Sequence, residues 1–275
     1  MRARAAFVRM VRAAGRREDP TPAARDVTVF PSDLFLVSYP RSGNTWMRFL
    51  LANALRPEET VSFGAMARLV PDVYDVPDAV LRKAPQPRAL KSHEPYDSRY
   101  PSVLYLVRNP TDVAVSYYHY LIKMRVIPDG YDLVRFADSL LDGSLDGFGT
   151  WADHVAGWLD ARGGDERFVL LRYEDLLDDP SVAVREMLRL TGTARDQEQI
   201  RAAVAHSSAD ELRRLERDTA TELPTFRGSR LDKPFIRRAG VGAGVEELPA
   251  EVLARIAEAW GPVAARVGYE LLTPA

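Results

Sequence analysis

The chain predicts an α/β fold, a single domain in which a central parallel β-sheet carries helices on both faces. Three observations predict it. Short β-prone apolar runs alternate with helical patterns. One run, Val103-Leu104-Tyr105-Leu106-Val107, is apolar throughout, as a strand buried on both faces requires. The first run passes through Ser38-Tyr39-Pro40-Arg41-Ser42-Gly43-Asn44 straight into a helical pattern, which is the strand–loop–helix plan of a P-loop-like phosphate loop.

Leu34-Phe35-Leu36-Val37 is the first expected strand, and a helix over about 45–55 follows it. A short second strand is Arg88-Ala89-Leu90-Lys91. The 103–107 strand leads to a helix over 111–123, with Thr111-Asp112 as its start and Pro110 just outside. Phe168-Val169-Leu170-Leu171 is the fourth strand, followed by helices over 181–191, about 196–206 and about 250–267. Residues 216–245 are charged, arginine-rich and punctuated by Gly and Pro, and are expected to form a long functional loop. Trp151, His154 and Trp158 fall at helical spacing and are read as packing.

Composition removes several function classes. The 275 residues contain no cysteine, so disulfides, thiolate catalysis and Cys-based metal sites are excluded. Four scattered histidines make a poor metal site, and none is expected. A formal net charge of −2 argues against general nucleic-acid binding. No apolar run approaches the roughly 18 residues of a membrane span. Residues 1–25 hold six arginines before the first acid, Glu18, and are expected to be a basic arm or short helix; 26–275 is the expected domain, in the cytoplasm.

Four segments carry candidate chemistry. Ser42, Gly43, Asn44 and Thr45 can wrap an anion at a helix N-terminus, with Arg41 adding charge. Asn44 stands where a nucleotide-triphosphate loop has its lysine, so the loop is not built to grip a triphosphate. The same residues also suit an ordinary strand–turn–helix connection. Lys91 and His93 follow a short strand, at the sheet edge where open α/β folds bind ligands. The lysine suits an anionic leaving group, and the imidazole suits a general base. Arg108 ends the central strand, and Ser116 lies about two turns into the next helix, facing the same anion or Arg41. Glu174-Asp175 resemble a metal-binding pair but also suit structural hydrogen bonds, and His119 fits either the acceptor side or the core.

Together these segments resemble the cytosolic sulfotransferase family, which uses 3′-phosphoadenosine 5′-phosphosulfate (PAPS). The matching segments are Tyr39-Pro-Arg-Ser-Gly-Asn-Thr-Trp46, Lys91-Ser92-His93, Arg108 through Ser116, Tyr173-Glu174-Asp175-Leu176, and Phe235-Ile236-Arg237-Arg238-Ala239-Gly240. They occur in family order over about 34–245. The resemblance implies that Arg41, Ser42, Gly43, Asn44 and Thr45 form a phosphosulfate-binding loop. It implies that Trp46 and Tyr173 contact adenine, with Ser208 and Ala239 also at the nucleotide. Arg108, Ser116, Arg237 and Arg238 take the 3′-phosphate. His93 is the implied base, with Lys91 and Arg41 assisting transfer. The donor is PAPS, the product is 3′-phosphoadenosine 5′-phosphate (PAP), and no metal is needed. The chain departs from the family at Arg41, where the family has lysine, at Ala239, where it has glycine, and at Ala209, where it usually has an aromatic residue. The family's C-terminal dimer motif is not found, and the oligomeric state stays open.

The expected activity is sulfuryl transfer from PAPS to a hydroxyl of a small-molecule acceptor. The acceptor pocket is expected near 60–80, 94–100, 117–127, 145–151 and 220–235, and is expected to be partly apolar. Two other classes stay in view: a P-loop kinase or NTPase, and a nucleotide-binding protein without catalysis.

Overall fold

The computed structural model describes residues 27–219, 222, 226 and 228–271, so the basic arm expected over 1–25 lies outside the described residues. Four strands form one sheet: β1 (Leu34–Ser38), β2 (Ala89–Ser92), β3 (Ser102–Val107) and β4 (Phe168–Arg172). Their order is β2-β1-β3-β4, and every pairing is parallel. Every residue of β1, β2 and β3 is buried, which explains the near-continuous apolar sequence of β1 and β3.

The helices are α1 (Asn44–Leu55), α2 (Phe63–Leu69), α3 (Asp78–Leu81), α4 (Pro110–Lys123), α5 (Leu133–Leu141), α6 (Trp151–Arg162), α7 (Tyr173–Asp178), α8 (Ser181–Thr191), α9 (Gln197–Ala205), α10 (Ala209–Thr219), α11 (Ala243–Glu247) and α12 (Ala250–Arg266). Strand alternation sorts the core onto the two faces. Phe35, Val37, Val103 and Tyr105 pack with α4, α5, α6 and α12. Leu34, Leu36, Leu104 and Leu106 pack with α1, α2, α8, α9 and α10. At the edge away from the site, the fully buried Arg88 donates to both carboxylate oxygens of the fully buried Asp33, tying the start of β2 to that of β1.

Local signals explain most helix starts. Side chains of Ser62, Asn109, Asp132 and Thr150 accept from first-turn amides of α2, α4, α5 and α6, and Asp196 with Gln199 forms a capping box on α9. Pro110 is the first residue of α4 rather than outside it, because proline's missing N–H costs nothing there. The long loop expected over 216–245 is shorter than that: α10 runs to Thr219 and α11 takes 243–247. No helix among the described residues is long and apolar enough to cross a membrane.

Candidate functional site

The sheet register assembles the site. Val37 is paired with Ser92, so the next rung sets Ser38 beside His93. Val107 is paired with Arg172, so the next rung sets Arg108 beside Tyr173. β1 therefore delivers the loop, β2 delivers Lys91 and His93, and β3 delivers Arg108, all at one sheet edge. The chain crosses from β2 to β3 on the other side of β1, which opens the crevice there. A cavity of about 720 Å³ lies at this edge. Arg41, Gly43, Asn44, Thr45, Trp46, Lys91, His93, Arg108, Ser116, Tyr173, Ser208, Arg237, Arg238 and Ala239 all line it. Of the sequence-predicted site residues only Ser42 does not; it is fully buried beneath the turn.

The loop turns sharply at the N-terminus of α1. Gly43 has φ 103°, and a Cβ added there would lie 2.6 Å from Tyr173 Cδ2, so a side chain is excluded twice. Arg41 is also left-handed, with φ 70°. Its guanidinium lies 4.5 Å from the centroid of the Tyr120 ring and 4.6 Å from that of Phe235, and Nε donates to Ser116 Oγ at 3.3 Å. Ser116 therefore meets Arg41 while lining the cavity. Burial lowers the Arg41 pKa to about 10, so the group keeps its charge at neutral pH. Asn44 Nδ2 donates to Ser38 Oγ at 3.0 Å. Ser42 Oγ and Arg108 Nε are buried without a hydrogen-bond partner among the described residues. Arg108 lines the cavity, so its unmet Nε is a candidate contact for a polar ligand there.

His93 is fixed by its surroundings. Nδ1 lies 2.7 Å from the Ser38 carbonyl, which can only accept, so Nδ1 carries the proton and the neutral ring has its lone pair at Nε2. The His93 amide donates to the Tyr74 hydroxyl at 3.0 Å. The His93 carbonyl accepts from His154 Nε2 at 3.0 Å, while His154 Nδ1 accepts from Tyr105 Oη at 2.7 Å. Burial pulls the His154 pKa down to about 4, so it is neutral in this role. His154 is thus more than the packing residue its spacing suggested. Lys91 Nζ meets Asp72 Oδ2 at 2.7 Å.

The cations of the late segment are held differently. Arg237 pairs with Glu247, and Arg238 Nη1 lies 2.5 Å from Glu246 Oε2. Glu247 also meets His119 Nε2 at 2.6 Å, which settles where His119 points. α11 carries both acids and is anchored on α4: Asp112 accepts from the amides of Gly242 (3.0 Å) and Gly244 (2.7 Å). Upstream, Glu216 accepts from the amides of Phe235 (2.5 Å) and Ile236 (3.0 Å). Arg108 Nη2 donates to the Gly240 carbonyl at 2.9 Å, and its guanidinium lies 4.4 Å from the centroid of the Tyr173 ring. Ala239 has φ 52°, a left-handed backbone that suits glycine and gives a physical reason for glycine at this point of the family pattern.

Trp46 Nε1 donates to the Ser207 carbonyl at 3.0 Å, and its ring meets Tyr173 edge-on at 5.5 Å. Glu174 accepts from the Asn109 amide at 2.9 Å and from the Tyr269 hydroxyl at 2.5 Å, so it serves as a structural hydrogen-bond acceptor. The far part of the cavity is lined by Tyr74, Tyr117, Leu121, Met124, Phe148 and Phe226, among others, from four of the five segments expected for an acceptor. Segment 94–100 does not line it: Tyr96 packs on Trp158, and Tyr100 stacks on Phe35. Asp72, Tyr74, Glu246 and Glu247 were not singled out from sequence, and His154 was read only as packing, since each gains its place through tertiary contact.

Comparisons with known proteins bear on the fold and the family. A family model described as "Sulfotransferase domain" matches residues 31–268. Sulfotransferase 1B1 of Mus musculus is 28% identical over 228 residues, covering 77% of this chain and 76% of that protein. Sulfotransferase 1E1 of Bos taurus is 27% identical over 227 residues, covering 77% and 76%. Among solved structures, retinol dehydratase in complex with androsterone and PAP superposes with a TM-score of 0.70 at 20% identity, covering 87% of this chain and 82% of that one. Mouse sulfotransferase SULT7A1 complexed with PAP superposes with a TM-score of 0.67 at 20% identity, covering 90% of each. With a parallel sheet, a strand–loop–helix turn that lacks the triphosphate lysine, and a family match over nearly the whole described chain, this protein belongs to the sulfotransferase family.

Proposed function

We propose that the protein transfers the sulfuryl group of PAPS to a hydroxyl of a small-molecule acceptor, with His93 as the general base. The observation that carries this reading is the convergence of three strand ends on one cavity, where His93, Lys91, the loop and Arg108 face a common space. The residues fit the donor. Arg108 Nε is a buried donor with unmet capacity at the cavity, and the side-chain-free Gly43 lets the backbone approach an anion closely. PAPS supplies the activated sulfuryl group; the remaining chemistry belongs to the chain.

Each residue then has a task. The first-turn amides of α1, with Ser42, Asn44 and Thr45, hold the 5′-phosphosulfate. Arg41 and Lys91 stabilise negative charge as it develops on the departing phosphate. Arg108, Ser116, Arg237 and Arg238 hold the 3′-phosphate, with Ser208 and Ala239 beside the nucleotide. Trp46 and Tyr173 flank the adenine. His93 takes the acceptor proton at Nε2, because Nδ1 is committed to Ser38. The aromatic and aliphatic lining around His93, with Phe148 5.6 Å away, suits a partly apolar acceptor. The apolar character of androsterone and retinol, bound to related folds alongside PAP, points the same way.

The test is an acceptor screen with PAPS isotopically labelled in its sulfuryl group, read by mass spectrometry. A labelled sulfate ester that forms without added metal supports the proposal. Mg²⁺-dependent ATP turnover without sulfuryl transfer would replace it with a kinase or NTPase. PAP binding with no transfer to any hydroxyl would leave a non-catalytic nucleotide-binding protein.

A further inference from the structure

Lys91 is a buried cation, with its side chain 9% exposed, and it shares its surroundings with a second buried cation, Arg48 of α1. Two cations taken out of water need an anion nearby. Asp72 supplies it, and its position is set by the backbone. Residues 71–73 run parallel to β2: the Lys91 amide donates to the Pro71 carbonyl at 2.9 Å, and the Val73 amide donates to the Lys91 carbonyl at 3.1 Å. Asp72 and Lys91 are therefore bridged neighbours, and their side chains meet at 2.7 Å. Asp72 Oδ1 accepts from the Tyr74 amide at 3.1 Å, which fixes the rotamer and turns Oδ2 towards the ammonium.

Other groups act around this pair. Asp75 adds negative charge from the same segment, and Arg48 opposes with positive charge while donating to the Val70 carbonyl at 3.0 and 2.8 Å. The Tyr74 ring centroid lies 5.1 Å from Lys91 Nζ. Burial lowers the Lys91 pKa, and Asp72 is the largest influence that raises it again.

We propose that Asp72 is the positioning residue for Lys91: it aims the ammonium along the cavity wall and keeps it charged for the departing phosphate. This rests on the transferase reading, in which Lys91 assists the leaving group. Asp72 itself touches no reacting atom; it acts through Lys91. A lysine that lost its proton would offer a weaker donor to the developing charge, and one without its partner would swing on four rotatable bonds.

The chain has only four lysines, at 83, 91, 123 and 233, so their side chains can be followed individually. The protein is labelled with ¹³C at lysine Cε and titrated by NMR, alone and with PAP, with Lys91→Met identifying the Lys91 signal. In Asp72→Asn the Lys91 midpoint is expected to fall by about one to three pH units, the usual influence of a close opposite charge. The alkaline limb of the kcat profile should move down with it, while PAP affinity at neutral pH changes little. Asp72→Glu keeps the charge and should return the midpoint towards the wild-type value, and it serves as the second variant if Asp72→Asn folds poorly. A Lys91 midpoint and alkaline limb that stay put in Asp72→Asn, while Lys91→Met abolishes transfer, would overturn the role of Asp72 alone. A shifted midpoint in a protein whose wild type transfers nothing would support the hold of Asp72 on Lys91 and sink the transferase reading instead.

Discussion

The two sides of the cavity are built differently. On the β2 side, the candidate groups are locked by packed neighbours: His93 by the Ser38 carbonyl, the Tyr74 hydroxyl and His154, and Lys91 by Asp72. On the late-segment side, Arg237 and Arg238 hang from an irregular stretch and pair with carboxylates of α11 that are 30% and 61% exposed. Under the proposed function, the two sides divide the labour. Groups that move protons or meet developing charge need fixed geometry. Groups that take a phosphate need only exchange one anion for another, and surface-exposed pairs are cheap to break.

The locked side should give the largest effects, and they should fall on rate. His93→Ala is expected to slow transfer by about 10²–10⁴-fold, the usual worth of a general base. PAP affinity, measured by calorimetry, should hardly change. An acidic phenol should be harmed less than an aliphatic alcohol, because its proton leaves more easily. Near-normal turnover of an alcohol would take His93 out of the mechanism.

The lock on His93 has a pH signature. His154 in the folded protein takes a proton only below about 4, against 6.5 for an ordinary histidine. Between those values the unfolded chain binds more protons, so stability falls as pH drops through that window. The loss should approach about 3 kcal/mol by the lower end. Urea unfolding at pH 7 and pH 5 should register about 2 kcal/mol of it, and His154→Gln should flatten the difference between the two. Equal pH dependence in both proteins would mean that His154 does not stay neutral in the fold.

On the exchangeable side the effects should be smaller and should fall on binding. Arg108 stands between the two regimes: it is buried, has one unmet donor, and follows a rigid strand. Arg108→Ala should weaken PAP by about 1.5–3 kcal/mol, the value of a charge-assisted hydrogen bond. The rate at saturating PAPS should fall much less. Unchanged PAP affinity would move the 3′-phosphate elsewhere. The smallest effect is expected from Glu247→Gln, which frees Arg237 from its competing carboxylate. PAP should bind more tightly, by less than about fivefold. Weaker binding would mean that Glu247 positions Arg237 rather than competing with the phosphate.

Much of the locked side was legible in the sequence, and its partners were not. The four strands, the loop and the residues that end β1, β2 and β3 follow from apolar runs and turn chemistry, which are local. Lys91 and His93 stood out because a cation and an imidazole closed a short strand. Asp72 and His154 did not, because each reaches its partner only through the register of a distant segment: 19 residues separate Asp72 from Lys91, and 61 separate His154 from His93. The late segment was legible as arginine-rich, but α11 was hidden. AGVEE is a single turn with two glycines nearby, held by the Asp112 carboxylate rather than by its own propensity. α10 was missed for another reason. Its strongly charged sequence buries only Leu212 and Leu215, too narrow an apolar stripe to separate it from a solvated loop.

Under the proposed function, the cavity takes a nucleotide with separate 5′ and 3′ anions rather than a triphosphate. Thermal unfolding of the metal-free protein with PAP and with ATP tests it most directly. A ligand that binds only the folded state at about 100 times its Kd adds about 2.7 kcal/mol. PAP should raise the melting temperature without any divalent cation, and ATP at the same concentration should raise it far less. Equal shifts from the two nucleotides, or a shift that requires Mg²⁺, would contradict the account.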